Sequence, residues 1–164
     1  MPGTVRCRRW TRARAGLGGN QEDHPRLEDP GSRGVPVTFV DTNVFLLVAG
    51  SPHPLRQSAM AALRGKSDLV TSVEVLQEML HVFIRRGRLD LCDQAFLLAY
   101  RSVGDVWAVE PEDIVQARSL ADLHPELESR DLIHLACCQR RNASDLVTFD
   151  RALAAAWARP ARVR

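Results

Sequence analysis

The sequence predicts an α/β fold with a parallel β-sheet, and two observations lead to that class. Short apolar runs rich in β-branched and aromatic residues alternate with longer segments of helical spacing, which is typical of βαβ units. Two of the short runs, residues 37–40 and 146–149, end at an aspartate and are followed by a helical segment. Because open α/β sheets bind ligands beyond the carboxyl ends of their strands, Asp41 and Asp150 stand where a ligand site is expected.

The remaining elements follow from periodicity and from residues that begin or end helices. Gly65 ends the second predicted helix, Ser72 can cap the third, and Pro111 suits the first turn of the fifth. In chain order we predict strands at 37–40, 68–71, 107–109 and 146–149, and helices at 44–49, 55–64, 73–86, 91–106, 111–123, 129–142 and 151–157.

Composition divides the 164-residue chain at about residue 36. Residues 1–36 contain seven arginines and four acidic residues without helical or strand periodicity, so we expect a disordered arginine-rich leader, or an extension from a start codon placed too early. Contact between these arginines and RNA is the alternative interpretation. Residues 37–164 contain 15 basic and 16 acidic residues, and we expect one domain whose charge does not by itself indicate nucleic-acid binding.

Several classes of protein are excluded by sequence features that are missing. The chain has no run of 18 apolar residues, and its arginine-rich start lacks the apolar segment of a secretory signal. Its cysteines show neither a disulfide framework nor the spacing of a zinc site; they are Cys7, Cys92, Cys137 and Cys138. We therefore expect a reduced protein of the cytoplasm that does not bind membranes.

Two further acids are candidates for the predicted site. Asp131 lies in the first turn of the predicted helix at 129–142. Glu78 lies closer to the apolar stripe of its helix than Glu74 does, so we expect Glu78 to face a cleft and Glu74 to be more solvated. The aspartates have an ordinary explanation as well, because aspartate caps helices and complements the positive end of the helix dipole. We interpret His134, which shares a face with Asp131, as a packed core histidine bonded to a neighbour rather than a metal ligand.

Parallel strands would bring the aspartates at positions 41 and 150 to one edge of the sheet, near the acids of the two helices. Four carboxylates gathered in this way would repel one another without a cation. Hard divalent cations such as Mg²⁺ and Mn²⁺ prefer oxygen ligands, so the pattern predicts a metal site.

Four motifs follow one another along the chain: Val40-Asp41-Thr42-Asn43-Val44, Leu76-Gln77-Glu78-Met79-Leu80, Arg130-Asp131-Leu132-Ile133-His134-Leu135-Ala136 and Leu146-Val147-Thr148-Phe149-Asp150. In this order they resemble the signatures of PIN-domain ribonucleases, most closely the VapC-type toxins of bacterial toxin–antitoxin pairs. The resemblance covers residues 37–157 and leaves the leader without a counterpart. It implies a three-layer α/β/α sandwich with a parallel sheet of four or five strands, in a nuclease domain at residues 37–164.

The resemblance also implies a site and a reaction. One or two Mg²⁺ ions, with Mn²⁺ as a substitute, would support hydrolysis of single-stranded RNA. The catalytic and metal-binding acids would be Asp41, Glu78, Asp131 and Asp150, with Asn43 and Thr148 close by. The implied partners are a cognate antitoxin protein and a second copy of the chain in a homodimer, and the predicted helices at 55–64, 73–86 and 91–106 would offer the antitoxin a groove.

Other interpretations make different demands on the sequence. A housekeeping PIN nuclease of RNA processing and a non-catalytic RNA-binding domain both remain alternatives. A phosphoaspartyl phosphatase is disfavoured because Asn43 stands two residues after Asp41, where that mechanism usually requires a second acid. A phosphorylated receiver domain is disfavoured because it requires a lysine late in the chain, and the single lysine is Lys66.

Overall fold

The computed structural model describes residues 36–159, and the leader predicted at 1–36 lies almost entirely outside them. None of the helices in residues 36–159 is both long and apolar enough to cross a membrane. In chain order the elements are β1 (Thr38–Val40), α1 (Thr42–Ala49), α2 (Arg56–Arg64), β2 (Leu69–Ser72), α3 (Val73–Arg85), α4 (Leu89–Ser102), β3 (Asp105–Trp107), α5 (Pro111–Ala121), α6 (Ser129–Arg140), β4 (Asp145–Val147) and α7 (Arg151–Ala158).

The four strands form one parallel sheet with the order β3-β2-β1-β4. β1 is an inner strand, and its residue Phe39 lies opposite Val70 of β2 and Leu146 of β4. The chain passes from β1 to β2 to β3 and then returns across β1 to β4. The carboxyl ends of β1 and β4 therefore form the switch point of the sheet, where open α/β sheets bind ligands. The predicted α/β class with a parallel sheet is confirmed.

The helices cover the sheet in two groups. The first four helices pack on one another, whereas α5 packs along α6, which also contacts α7. The direction of travel across the sheet reverses after β3, so right-handed crossovers place the two groups on opposite faces. This is the three-layer arrangement that the family resemblance implies.

Both faces of the sheet are apolar because both are covered by helices. Phe39 and Val40 of β1 have no solvent-accessible surface, and neither do Met79 of α3 and Leu135 of α6. Full burial of a side chain of this size stabilises a fold by about 1.5–3 kcal/mol. The core therefore fixes the position of α3 and α6, the two helices that carry acids of the predicted site.

The boundary between α4 and β3 differs from the prediction. Periodicity predicted a helix over 91–106 and a strand over 107–109, but α4 ends earlier and β3 spans Asp105–Trp107. Gly104 donates its N–H to the carbonyl oxygen of Leu69 at 2.8 Å, which draws the chain alongside β2. Pairing with a neighbouring strand overrides the helical spacing of this segment, as tertiary context often does.

The described cysteines are free thiols in the core, in agreement with the absence of a disulfide framework. They are Cys92, Cys137 and Cys138. Burial, helped by the nearby Asp113 carboxylate, raises the pKa of Cys137 to about 12. A thiol with so high a pKa carries almost no thiolate at neutral pH and is a poor nucleophile.

A buried ion cluster attaches α5 to the end of α6. Asp113 of α5 has no accessible surface, and it accepts hydrogen bonds from Arg140 at 2.6 Å and from Arg141 at 2.9 Å. It also accepts the backbone N–H of Glu110 at 2.8 Å, which closes the first turn of α5. Burial alone would raise the pKa of Asp113, but the guanidinium groups and the amide lower it to about 2.

We predict that Asp113→Asn lowers the free energy of unfolding by roughly 2–3 kcal/mol at neutral pH, because the folded state favours the Asp113 carboxylate and each pKa unit of depression corresponds to about 1.4 kcal/mol. The pKa is depressed in the folded state, so this stabilisation is present above the ordinary value of 3.8 and is lost as the pH falls towards 2. Urea unfolding at neutral and at acidic pH measures the difference. Asp122→Asn is the control, because Asp122 is an exposed partner of Arg118 near the same helix. Equal losses in the two variants would contradict the prediction.

Candidate active site

The four acids predicted from the sequence line one pocket at the switch point of the sheet. Asp41 directly follows β1 and Asp150 follows β4, whereas Asp131 belongs to the first turn of α6 and Glu78 projects from α3. The cavity has a volume of about 390 Å³. We call it the acidic pocket, and its lining consists of Asp41, Thr42, Asn43, Leu46, Glu78, Glu126, Glu128, Asp131, Asp150 and Ala152.

Asp41 is the most deeply placed of these acids, with 4% of its surface exposed. Its Oδ1 accepts the backbone N–H of Thr42 at 2.6 Å, so Asp41 is also the N-cap of α1. Its Oδ2 accepts hydrogen bonds from Asn43 Nδ2 and Thr148 Oγ1, both at 2.6 Å. Burial raises the pKa of Asp41, although His134 and the hydrogen bonds act in the opposite direction. The capping and site interpretations are therefore compatible for this residue.

Asn43 and Thr148 join the loops that follow β1 and β4. Asn43 donates to Thr148 Oγ1 at 3.0 Å, and its Oδ1 accepts the backbone N–H of Phe149 at 3.0 Å. Thr148 Oγ1 also accepts the backbone N–H of Asp150 at 2.9 Å. We call the hydrogen-bonded group of Asp41, Asn43 and Thr148 the loop lock. The structure thus places Asn43 and Thr148 beside the acids, as the resemblance implies.

Glu78 is held between two elements. Its Oε2 accepts the hydroxyl of Thr42 at 2.8 Å, and its Oε1 lies 3.4 Å from Nη1 of Arg130. Burial raises the pKa of Glu78, but His134, Thr42 and Arg130 together lower it below the ordinary value. Glu78 is therefore ionised in the pocket at neutral pH.

The expectation that Glu74 is more solvated than Glu78 is wrong. The exposed fractions of their side chains are 21% and 23%. Arg130 reaches from α6 across this part of α3, and its Nε lies 3.8 Å from the Glu74 carboxylate. The helical wheel of α3 could not reveal this, because the cover comes from another element. Glu74 is nevertheless not part of the lining of the acidic pocket.

Asp131 and Asp150 each use one oxygen to cap a helix. Asp131 Oδ2 accepts the backbone N–H of Glu128 at 3.2 Å, and Asp150 Oδ1 accepts that of Leu153 at 2.8 Å. Their other oxygens make no hydrogen bond within residues 36–159. Burial raises the pKa of Asp131, and the carboxylates of Asp150 and Asp41 raise it further. That mutual repulsion is what a cation in the acidic pocket would relieve.

His134 is the residue whose position the sequence did not reveal. It is 1% exposed, and its Nε2 lies 3.6 Å from Asp41 Oδ1 and from Glu78 Oε2. Neither ring nitrogen has a hydrogen-bond partner in the described part of the chain. Burial alone would lower the pKa of His134, but Glu78 and Asp41 raise it above the ordinary value. The ring is packed, as expected, but the expectation that it bonds to a neighbour is wrong within residues 36–159, and its Nε2 faces two acids beyond hydrogen-bond distance. Its place three residues after Asp131 was the available signal.

The residues of the acidic pocket fit a hard divalent cation by their chemistry. All four predicted ligands are carboxylates, and no thiol lines the cavity. Within residues 36–159, however, no three His, Cys, Asp or Glu side chains already stand in a metal-binding arrangement. Each acid is instead turned towards nearby donors: helix N–H groups, hydroxyls or Arg130. The free oxygens of Asp131 and Asp150 are the groups that remain available to a cation.

Comparison with known proteins extends this description. The family model of the PIN domain matches residues 38–157. Ribonuclease VapC23 of Mycobacterium tuberculosis is 45% identical over 123 residues, which cover 73% of this chain and 97% of that protein. Ribonuclease VapC13 of the same species is 32% identical over 117 residues, which cover 69% of this chain and 89% of that protein.

A solved structure agrees with the fold. VapC20 of Mycobacterium tuberculosis, a sarcin–ricin-loop-cleaving toxin, matches with a TM-score of 0.64 and covers 75% of this chain and 99% of its own. Its sequence identity is 23%, so this likeness concerns the fold alone. The family model and the two relatives carry the assignment: the chain belongs to the PIN-domain family, among the VapC-type ribonucleases.

Proposed function

We propose that this protein is the toxin of a toxin–antitoxin pair, and that it is an Mg²⁺-dependent endoribonuclease that cleaves single-stranded RNA. The observation that carries the proposal is the convergence of the four predicted acids, from four separate parts of the chain, on a pocket at the switch point that is lined by six carboxylates in all. The names of the relatives, which are VapC ribonucleases, support the same reaction class. A structural role alone does not explain why charges of one sign gather in a cavity.

The residues of the acidic pocket have distinct tasks in this proposal. The groups that would hold the ion are Asp41, Glu78, Asp131 and Asp150. When bound, Mg²⁺ or Mn²⁺ would supply charge neutralisation at the phosphate and would lower the pKa of a water molecule. The loop lock orients Asp41, and Thr42 orients Glu78. Hydrolysis by this route leaves a 5′-phosphate and a 3′-hydroxyl.

No histidine is required as a general base that touches RNA. His134 is almost completely buried and is not part of the pocket lining, so its ring does not reach a substrate. Single-stranded RNA is the favoured substrate, because an unpaired strand can bend its phosphate into a recessed pocket more readily than a duplex can.

The rival enzyme class is disfavoured by the contacts of Asn43. A phosphoaspartyl phosphatase requires an acid at that position, free to donate a proton to its leaving group. Here the Asn43 amide is committed on both sides, to Asp41 and Thr148 through its nitrogen and to Phe149 through its oxygen. The residue therefore serves the loop lock rather than proton transfer.

Partner binding is the second part of the proposal. Leu80 and Ile84 of α3 and Leu97 of α4 are exposed by 39%, 56% and 48% of their surface. These apolar groups lie on helices that the resemblance assigns to the antitoxin groove, so an apolar antitoxin segment has a surface to cover. A homodimer would cover apolar surface in the same way. Both assemblies belong to a protein that acts in the cytoplasm, where its RNA is found.

We predict that Asp150→Asn and Asp131→Asn each lower RNA cleavage by about 100-fold or more, because each removes a charge from the pocket. Asparagine caps helices as well as aspartate does, so both variants should keep their melting temperature. Cleavage of single-stranded RNA in the presence of Mg²⁺ measures the effect. Asp93→Asn, on the exposed face of α4, is the control. Normal cleavage by the Asp150 variant would refute the assignment of the site.

We predict that Mg²⁺ stabilises the folded protein, because only the folded chain gathers the four carboxylates. An ion concentration about 100-fold above Kd adds about 2.7 kcal/mol, which corresponds to roughly 5–10 °C in Tm. Calorimetry with MgCl₂, against KCl of equal ionic strength, measures the shift. The double variant Asp131→Asn/Asp150→Asn should lose it. A shift of the same size in KCl would show that the ion acts through screening.

We predict that expression of the protein stops bacterial growth and that the small protein encoded beside it restores growth by direct binding. Asp131→Asn should abolish toxicity and leave partner binding intact, because it changes one atom inside the pocket and none on the exposed faces of α3 and α4. Growth curves and co-purification are the measurements. Harmless expression of a folded protein that cleaves RNA would remove the toxin assignment and leave a housekeeping nuclease.

A further inference from the structure

A second pocket adjoins the acidic pocket along α1. It has a volume of about 250 Å³, and its lining is mainly apolar. Asn43 and Leu46 line both cavities, so the two lie side by side along one turn of α1. The other residues of the second pocket are Leu47, Ser51, Pro52, His53 and Arg86. The acidic pocket is lined mainly by carboxylates, whereas the second pocket combines apolar surface, an imidazole ring and a guanidinium group.

The wall of the second pocket is fixed by hydrogen bonds. Arg56 donates to the carbonyl oxygens of Val48 at 2.9 Å and Gly50 at 2.6 Å, which ties the end of α1 to the loop that follows it. The carbonyl oxygen of His53 accepts the backbone N–H of Arg56 at 3.0 Å. The pocket is therefore formed before any ligand arrives, so a ligand does not have to order this loop.

The imidazole of His53 is held in a defined state. Its Nδ1 accepts the backbone N–H of Leu55 at 3.1 Å, so the hydrogen of the neutral ring is on Nε2. The side chain is exposed and offers both a ring face and an N–H donor. Histidine rings stack on unpaired bases and can donate to their polar edges. These are properties that suit a nucleobase.

Arg86 supplies a positive charge at the second pocket. Its side chain is exposed and has no hydrogen bond or ion pair within residues 36–159. This differs from Arg56, Arg130, Arg140 and Arg141, whose guanidinium groups are engaged with the protein. An unpaired guanidinium beside an apolar pocket can bind a phosphate with two parallel hydrogen bonds.

We propose that the second pocket holds one nucleobase of the RNA strand next to the cut, with His53 stacked on the base and Arg86 on a phosphate. The inference rests on the proposed function, because it uses the acidic pocket as the place where the scissile phosphate lies. Successive nucleotides of a single strand would then occupy the two adjacent cavities. The pocket gives the enzyme a base preference at one position beside the cut.

The test uses three variants of the full chain and a pool of single-stranded RNA oligonucleotides of random sequence, with MgCl₂. His53→Asn removes the ring but keeps a side-chain oxygen that can accept the Leu55 N–H. Arg86→Gln removes the charge. Arg85→Gln is the matched control, because Arg85 is also exposed and unpaired in the described chain but does not line the pocket. Sequencing of the cut ends gives the base preference at each position, and kinetics give kcat and KM.

His53→Asn should flatten the base preference at a single position beside the cut and lower kcat/KM on the order of tenfold, the usual effect of losing one stacked base. Arg86→Gln should raise KM, leave kcat unchanged, and make the dependence of log KM on log salt shallower by about 0.7, the value for one phosphate contact on a single strand. Arg85→Gln should match the unaltered protein in base preference, in kcat and KM, and in the salt dependence of KM.

The outcomes separate this inference from the proposed function. If the unaltered protein cleaves RNA but all three variants behave alike, the second pocket is not a nucleotide site and the nuclease stands. If the variants cleave normally but are no longer neutralised by the adjacent partner protein, the pocket belongs to a protein interface and the inference is wrong. If the unaltered protein cleaves no RNA with MgCl₂, both the function and the inference fail.

Discussion

The hydrogen bonds among Asp41, Asn43 and Thr148 hold the loops after β1 and β4 together, and the acidic pocket depends on that contact. The strands themselves are three residues long, so the sheet contributes few ladder bonds between β1 and β4. The loop lock extends their association beyond the last paired residues through side-chain hydrogen bonds, which add to the backbone bond from Asp41 to Val147 at 3.0 Å. Hydrogen bonds to a charged acceptor are among the stronger ones in proteins, which suits a junction that must keep two carboxylates in place.

Each of the four acids predicted from the sequence also has a structural task. Asp41 and Asp150 cap α1 and α7, Asp131 closes the first turn of α6, and Glu78 receives the hydroxyl of Thr42. The positive ends of three helices therefore point at the cavity, and they offset part of the repulsion among the carboxylates. Arg130 adds a positive charge beside Glu78, and the nearby carboxylates of Glu78 and Asp41 raise the pKa of His134. The fold tolerates the acidic cluster because helix ends and basic side chains compensate it from several directions.

Much of the site followed from local sequence rules. An aspartate at the end of a β-branched run predicted that Asp41 and Asp150 would lie at one edge of the sheet, where both line the acidic pocket. The helix wheel predicted that Glu78 faces a cleft, which it does, but it was wrong about the greater exposure of Glu74. The positions of His134 and Arg130 could not be derived in that way, because they depend on how α6 is rotated against the sheet. The ion cluster around Asp113 helps to set that rotation, and its members are far apart in sequence. The predicted end of α4 was wrong for a similar reason, because the position of that end depends on a hydrogen bond from Gly104 to β2.

The hydrogen bonds that Asp41 already accepts affect how an alignment of relatives of this protein should be interpreted. Both of its oxygens already accept hydrogen bonds, so an amide at this position would set a donor against the donors of Asn43 and Thr148. The fold therefore has a use for an aspartate here that does not depend on catalysis. Its presence in an alignment is therefore weak evidence of an active enzyme. Under the proposed function, Asp131 and Asp150, each with an oxygen that makes no hydrogen bond within residues 36–159, are the positions at which loss of activity would first become visible.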